Sequence, residues 1–245
     1  MLWVLAWIAG YVDTVAYLVL VRVYVSHMSG NTSFLGRYLS RAEWNQAFKY
    51  GWPILSFALG LFVGAMLAES SRRRRIQSRM SLVMGVEIGL LAAMLLLANR
   101  HAQDAFYWVA APASAMGMQT ATVTTVGDLR VYSTFVTGML SKLSEALAGY
   151  IFWLSDHFHA RREGGVPGQG WLREAVRHRL LWHALVTFGI WALFMLGCVS
   201  GAIVQLELGL RAFWVPIAGL GLLIGLDLRR PISAVAEHEP LGFLV

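Results

Sequence analysis

Val21-Arg22-Val23-Tyr24-Val25-Ser26-His27-Met28-Ser29-Gly30 returns as Leu129-Arg130-Val131-Tyr132-Ser133-Thr134-Phe135-Val136-Thr137-Gly138, at a constant spacing of 130 − 22 = 108 residues. Arg22 falls on Arg130, Val23 on Val131, Tyr24 on Tyr132, Ser26 on Thr134, Ser29 on Thr137 and Gly30 on Gly138. Each copy follows a long apolar run. The chain therefore reads as a duplicated membrane unit whose polar, glycine-containing break is its working part.

Composition sets the solvent around that unit. Of 245 residues, 57% are hydrophobic and 14% charged, and the mean hydropathy is +0.57, far more apolar than a soluble domain. The net charge of +6 does not mark a nucleic-acid binder, because the basic residues fall between apolar runs, as the positive-inside rule places them. The single cysteine, Cys198, lies inside an apolar run, which excludes an intrachain disulfide and a cysteine metal site.

Six runs approach the length needed to cross about 30 Å of hydrocarbon, at about 2–24, 50–68, 81–98, 105–126, 181–204 and 212–227. The first has no basic leader and carries Asp13 in its middle, so it is expected to remain in the mature protein rather than act as a signal peptide. Arg72, Arg73, Arg74, Arg75 and Arg79 follow the second run, and Arg161, Arg162, Arg173, Arg177 and Arg179 follow the fourth. Those links, and with them both termini, are expected in the cytoplasm. Three spans per copy is an odd number, so the second copy enters the membrane inverted, as in many secondary transporters. The organisation is one membrane domain: a first three-helix repeat at 1–98, a second at 99–230 with a glycine-rich cytoplasmic link at 155–180, and a tail at 231–245.

Residues 25–40 and 131–153 interrupt this plan. Both read as broken or re-entrant helices, and irregular backbone at membrane depth is tolerated only where it is buried in protein or lines a wet cavity. A hydroxyl beside glycine caps the following helix and leaves N–H groups aimed at the site. The structural alternative is a kink satisfied by a neighbouring hydroxyl. Asp13-Thr14 corresponds to Gln119-Thr120 if the second copy holds two extra residues before Arg130. Gly60-x-x-x-Gly64 and Gly197-x-x-x-Gly201 read as helix-packing seams.

A lone charge in the middle of a membrane helix costs at least about 2.5–3.5 kcal/mol, so Asp13 must be paired, protonated or wet. It is the first candidate for proton coupling or for orienting a substrate, with Gln119 as its uncharged counterpart. Glu87, inside the third run, is the second candidate for proton coupling, against snorkelling or a structural pair. Arg22 and Arg130 either hold an anionic substrate or neutralise Asp13 and Asp128. His27 titrates near neutral pH and is either a cavity-facing imidazole or a satisfied structural one. Ser26, Ser29, Gly30, Asn31, Thr134, Thr137 and Gly138 complete the candidate solute site.

Ala9-Gly10-Tyr11-Val12-Asp13, Val25-Ser26-His27-Met28-Ser29-Gly30-Asn31-Thr32, Gly117-Met118-Gln119 and Thr134-Phe135-Val136-Thr137-Gly138 resemble motifs of the YoaK family of bacterial membrane proteins, a domain of unknown function, over about residues 2–230. The resemblance implies a polytopic inner-membrane protein of about six spans and supplies no substrate. Thr120 stands where asparagine follows Gly-Met-Gln in many relatives.

An intramembrane hydrolase would also have six spans, but no Gly-x-Ser-Gly turn occurs, and the hydroxyls return as threonines in the second copy, against a nucleophile. No catalytic residue, metal site or cofactor is expected. His157, His159, His178 and His183 read as a solvated basic surface. The expectation is thus an all-α membrane protein that transports a small polar or anionic solute, with a proton-coupled cycle and a homodimer as candidates for completing the path. A non-transporting scaffold or channel-like protein is the alternative.

Overall fold

A computed structural model describes residues 1–74, 79–98, 105–121, 124–126, 129–131, 134–162 and 171–229. Among the described residues ten helices and one short hairpin follow in chain order: α1 (Leu2–Val19), α2 (Met28–Leu39), α3 (Trp44–Arg73), α4 (Arg79–Ala98), α5 (Ala105–Trp108), α6 (Ala110–Ala121), β1 (Thr124–Val126), β2 (Leu129–Val131), α7 (Val136–Arg162), α8 (Trp171–Arg177), α9 (Arg179–Leu208) and α10 (Trp214–Arg229). A 3-10 turn, Gly209–Phe213, joins α9 to α10, and Gly209 opens it at φ +52°. Among the described residues four stretches are long and apolar enough to cross a membrane: Leu2–Val19, Trp44–Ser71, Met80–Ala98 and Arg179–Arg229, the last taking in both α9 and α10.

Two of the expected runs end early, for different reasons. The run expected at 2–24 stops at Val19, and the chain turns at Arg22, φ +55°, before Val23 and Val25 alternate with Tyr24. β-branched residues spaced by two favour extended backbone, and here Val23 and Val25 are buried while Arg22 and Tyr24 are exposed. The run expected at 105–126 is interrupted at Val109. Pro112 has no N–H to give the Trp108 carbonyl and its ring crowds that turn, so α5 closes there and α6 starts afresh. After α6, Thr124–Val126 pairs antiparallel with Leu129–Val131. The segment expected to begin as a helix at 131 becomes helical only at Val136 and continues to Arg162. The link expected at 155–180 is partly helical, in the end of α7 and in α8, while its glycines lie outside the described residues.

α1 is the central element. Of its span 61% is buried, against 28% for α3 and 33% for α4, so the latter two present most of their apolar surface outward, as lipid-facing helices do. Ile8, Tyr11, Val12 and Val15 of α1 pack with Met84 and Leu91 of α4, Met116 of α6, Phe194 of α9 and Leu220 and Leu223 of α10 in the main core. The Tyr11 hydroxyl donates to the Ala212 carbonyl in the turn at 3.1 Å.

Glycine sets the two tightest crossings. A Cβ on Gly10 would lie 2.1 Å from the Phe194 carbonyl oxygen and 3.2 Å from the Cys198 nitrogen, and one on Gly197 would lie 2.1 Å from the Trp7 carbonyl oxygen. At the crossing of α3 and α6, a Cβ on Gly117 would lie 2.2 Å from the Phe57 carbonyl oxygen and 2.9 Å from the Leu61 nitrogen, and one on Gly60 would lie 2.1 Å from that of Ser114. Gly64 and Gly201 are nested likewise, against Met118 and Tyr11. The seams expected at Gly60/Gly64 and Gly197/Gly201 thus hold helices together inside one chain.

Candidate functional site

Asp13 sits in α1 near its C-terminal end and is 1% exposed. Its charge is met by the chain's own donors. Residues 20–27 fold back along α1, so that Oδ1 accepts from the Val25 N–H at 2.9 Å and the Ser26 N–H at 2.8 Å. His27 Nδ1 meets Oδ2 at 2.7 Å. A carboxylate only accepts, so the network assigns the proton to Nδ1 and leaves Nε2 to accept or, in the imidazolium, to donate. The hydrogen bond to Asp13 raises the His27 pKa above its ordinary value, and the ring's partial burial opposes that. His27 lies in the connection, outside the four membrane stretches, with its side chain 47% exposed.

Arg22, one of two residues expected to neutralise an acid, does not pair with Asp13; it turns the chain at φ +55° with its side chain exposed, and the ionic partner is His27. The Arg130 side chain and Asp128 lie outside the described residues. Asn31 is 3% exposed and donates from Nδ2 to the Tyr24 carbonyl at 2.8 Å, tying the start of α2 to the returning connection. Thr32 and Ser33 bond back to the carbonyls of Met28 and Ser29. α2 starts with no side-chain cap, and open space surrounds Gly30. Tyr24 stacks on Tyr17 at 4.4 Å and approaches the His27 ring at 4.8 Å. This aromatic wall went unread in the sequence, although the recurrence of Tyr24 as Tyr132 was a signal for half of it.

The second break has different chemistry. Thr120 of α6 meets Thr134, hydroxyl to hydroxyl, at 2.5 Å. The steps along the chain that superpose the glycine crossings carry Gly10 to Gly117 and so Asp13 to Thr120, with one extra residue in the second copy rather than two. By that step Thr120–Thr134 aligns with Asp13–Ser26. Gln119, expected as the counterpart of Asp13, instead donates from Nε2 to the Leu5 carbonyl at 2.9 Å. That is two turns of α1 away from Asp13, about 12 Å along the axis. The ring of Phe135, which replaces His27, lies over Gly138, where a Cβ would meet it at 2.1 Å, while Thr137 is exposed in the first turn of α7.

Ser26, His27 and Asp13 have the composition of a catalytic triad but not its wiring. Ser26 Oγ reaches His27 Nδ1 at 3.5 Å, the same nitrogen that meets Asp13, whereas a relay needs the hydroxyl and the acid on opposite ring nitrogens. Glu87 lies elsewhere, on the core face of α4. The Ser81 hydroxyl of α4 donates to Asp227 Oδ2 of α10 at 2.5 Å; Asp227 was legible as an acid near the end of the sixth run but was not singled out. Among the described residues no group of three or more His, Cys, Asp or Glu side chains could hold a metal.

Apolar helices of spanning length, joined by a connection anchored on a buried acid, define a polytopic helical membrane protein. The profile of the family described as "Protein of unknown function (DUF1275)" matches residues 1–226, and the chain belongs to that family. It is similar to the UPF0700 transmembrane protein YoaK of Bacillus subtilis (strain 168), 24% identical over 146 residues, an alignment covering 59% of this chain and 65% of that relative. No solved structure matches the chain.

Proposed function

We propose that this membrane protein transports a small polar or anionic solute through a proton-coupled cycle, in the inner membrane with both termini in the cytoplasm. The observation that carries the reading is the doubled crossing. One constant step takes Trp7, Gly10 and Tyr11 to Ser114, Gly117 and Met118; another takes Phe57, Gly60 and Leu61 to Phe194, Gly197 and Cys198, each set meeting the other's partner. Packing of this kind supports two repeats that exchange their first helices, and inverted repeats that rock about a central site are a common basis of alternating access.

In this reading the solute meets Ser29 and Gly30 at the uncapped start of α2, beside His27 and the Tyr24 wall, while buried Asn31 holds the turn through the Tyr24 carbonyl. Thr137 and Gly138 offer a weaker site under Phe135. Arg22 and Arg130 set the local charge, and two copies of the chain complete the path. No catalytic step is assigned, since the Ser26–His27–Asp13 wiring does not support one.

The test is uptake by the full chain in liposomes across a panel of small anions, carboxylates and amino acids, with an imposed pH gradient. Accumulation of one compound above its external concentration supports the transporter. Saturable binding without accumulation favours the scaffold or channel-like alternative, which the full engagement of Asp13 by its own loop also fits.

A further inference from the structure

The search for a proton carrier has two buried acids to weigh, and their surroundings differ. Asp13 has both oxygens occupied by donors of the connection. Glu87 is 1% exposed, and its Oε2 has no hydrogen-bond partner among the described residues. It shares the face of α4 with Met84 and Leu91, three residues before and four after, which belong to the main core with Leu220 and Leu223 of α10.

The helices around α4 offer an ionised Glu87 little. α6 carries no ionisable side chain, and α5 and the 3-10 turn bring only exposed Tyr107 and Arg211. On α10, Asp227 takes the Ser81 hydroxyl and Arg229 is exposed. On α3, Glu69 pairs with Arg73 at one end, where Arg72 also lies, and Lys49 lies over Tyr50 at the other. On α1, Tyr11 donates to Ala212, Tyr17 stacks on Tyr24, and Asp13 is held by the connection. A carboxylate without counter-charge or donors in such a core is far less stable than the neutral acid.

We propose, on the transport reading above, that Glu87 carries the proton of the cycle: it is held as the neutral acid in this packed state and gives its proton to water when α4 and α10 part, while Asp13 serves as the pin of the connection. The step is a single transfer, carboxylic acid to carboxylate with one proton gained by water.

The test is infrared spectroscopy of the full chain in lipid at neutral pH, which sees the carbonyl stretch of an un-ionised carboxylic acid directly. The band is expected in wild type, absent in Glu87→Gln and retained in Asp13→Asn. Identical spectra for wild type and Glu87→Gln overturn the assignment whether or not any solute is found. In liposomes, Glu87→Gln is expected to keep solute exchange and lose accumulation driven by a pH gradient. Retained gradient-driven accumulation overturns the coupling role while leaving the transporter reading intact; no uptake by wild type sinks the transporter reading and leaves the spectroscopic result standing.

Discussion

The two breaks in this chain share a sequence pattern and are held shut by different chemistry. At the first, a buried carboxylate accepts two backbone N–H groups and an imidazole; at the second, two threonine hydroxyls meet. The first is therefore ionic, responsive to pH through His27 and open at Gly30, whereas the described contact at the second is between hydroxyls, with Phe135 lying over Gly138. The backbone contacts at the two glycine crossings are alike, while the side chains at the two breaks differ.

The largest effect tests what the copies share. Gly10→Ala and Gly117→Ala each drive a methyl group into a carbonyl of the facing helix, and both are expected to cost more than about 3 kcal/mol, seen as loss of monodisperse protein on detergent extraction. A large loss for one and none for the other would break the equivalence of the crossings. Next comes the contrast in chemistry. Asp13→Ala leaves three donors unmatched and is expected to cost roughly 3–5 kcal/mol, while Thr120→Val removes one hydroxyl pair for about 1 kcal/mol; thermal unfolding in nanodiscs measures both.

A smaller effect concerns pH. The His27 pKa is raised in the folded state, so the stabilisation from its pair with Asp13 is fully present below the unfolded value of about 6.5 and is lost as pH rises through the folded one. Half the ring is exposed, so the swing is expected to stay below about 1 kcal/mol. His27→Phe, which copies the second break, should flatten the melting temperature between about pH 5 and 8; an unchanged slope would place the titrating group elsewhere. The smallest effect has the opposite sign: Gly30→Ala, in open space within α2, should stabilise by about 0.5–1 kcal/mol. A loss there would show that the apparent opening is filled.

Much of the fold was legible because a bilayer admits few solutions. Runs of apolar residues, the repeat around Arg22 and Arg130, and small residues spaced by four gave the membrane class, the helices and the seams. Helix ends were less legible: β-branched alternation at Val23–Val25 and Pro112 carried the information, but the surrounding hydrophobicity hid it. At the site, Asp13, Ser26 and His27 were readable as residues but not as a network.

Sequence alone thus determined that this chain lies in a membrane, that the stretches around Arg22 and Arg130 share one pattern, and that Asp13 needs a partner, since burial of apolar surface and of unpaired charge are properties of composition and spacing. Only the tertiary structure decided that the partner is His27 rather than Arg22, that Thr120 stands at the same step from Gly117 as Asp13 from Gly10, and that Glu87 is buried with its Oε2 unpartnered among the described residues. Those outcomes depend on where backbones cross, and a crossing is set by contacts between residues far apart in the chain, which no local pattern encodes.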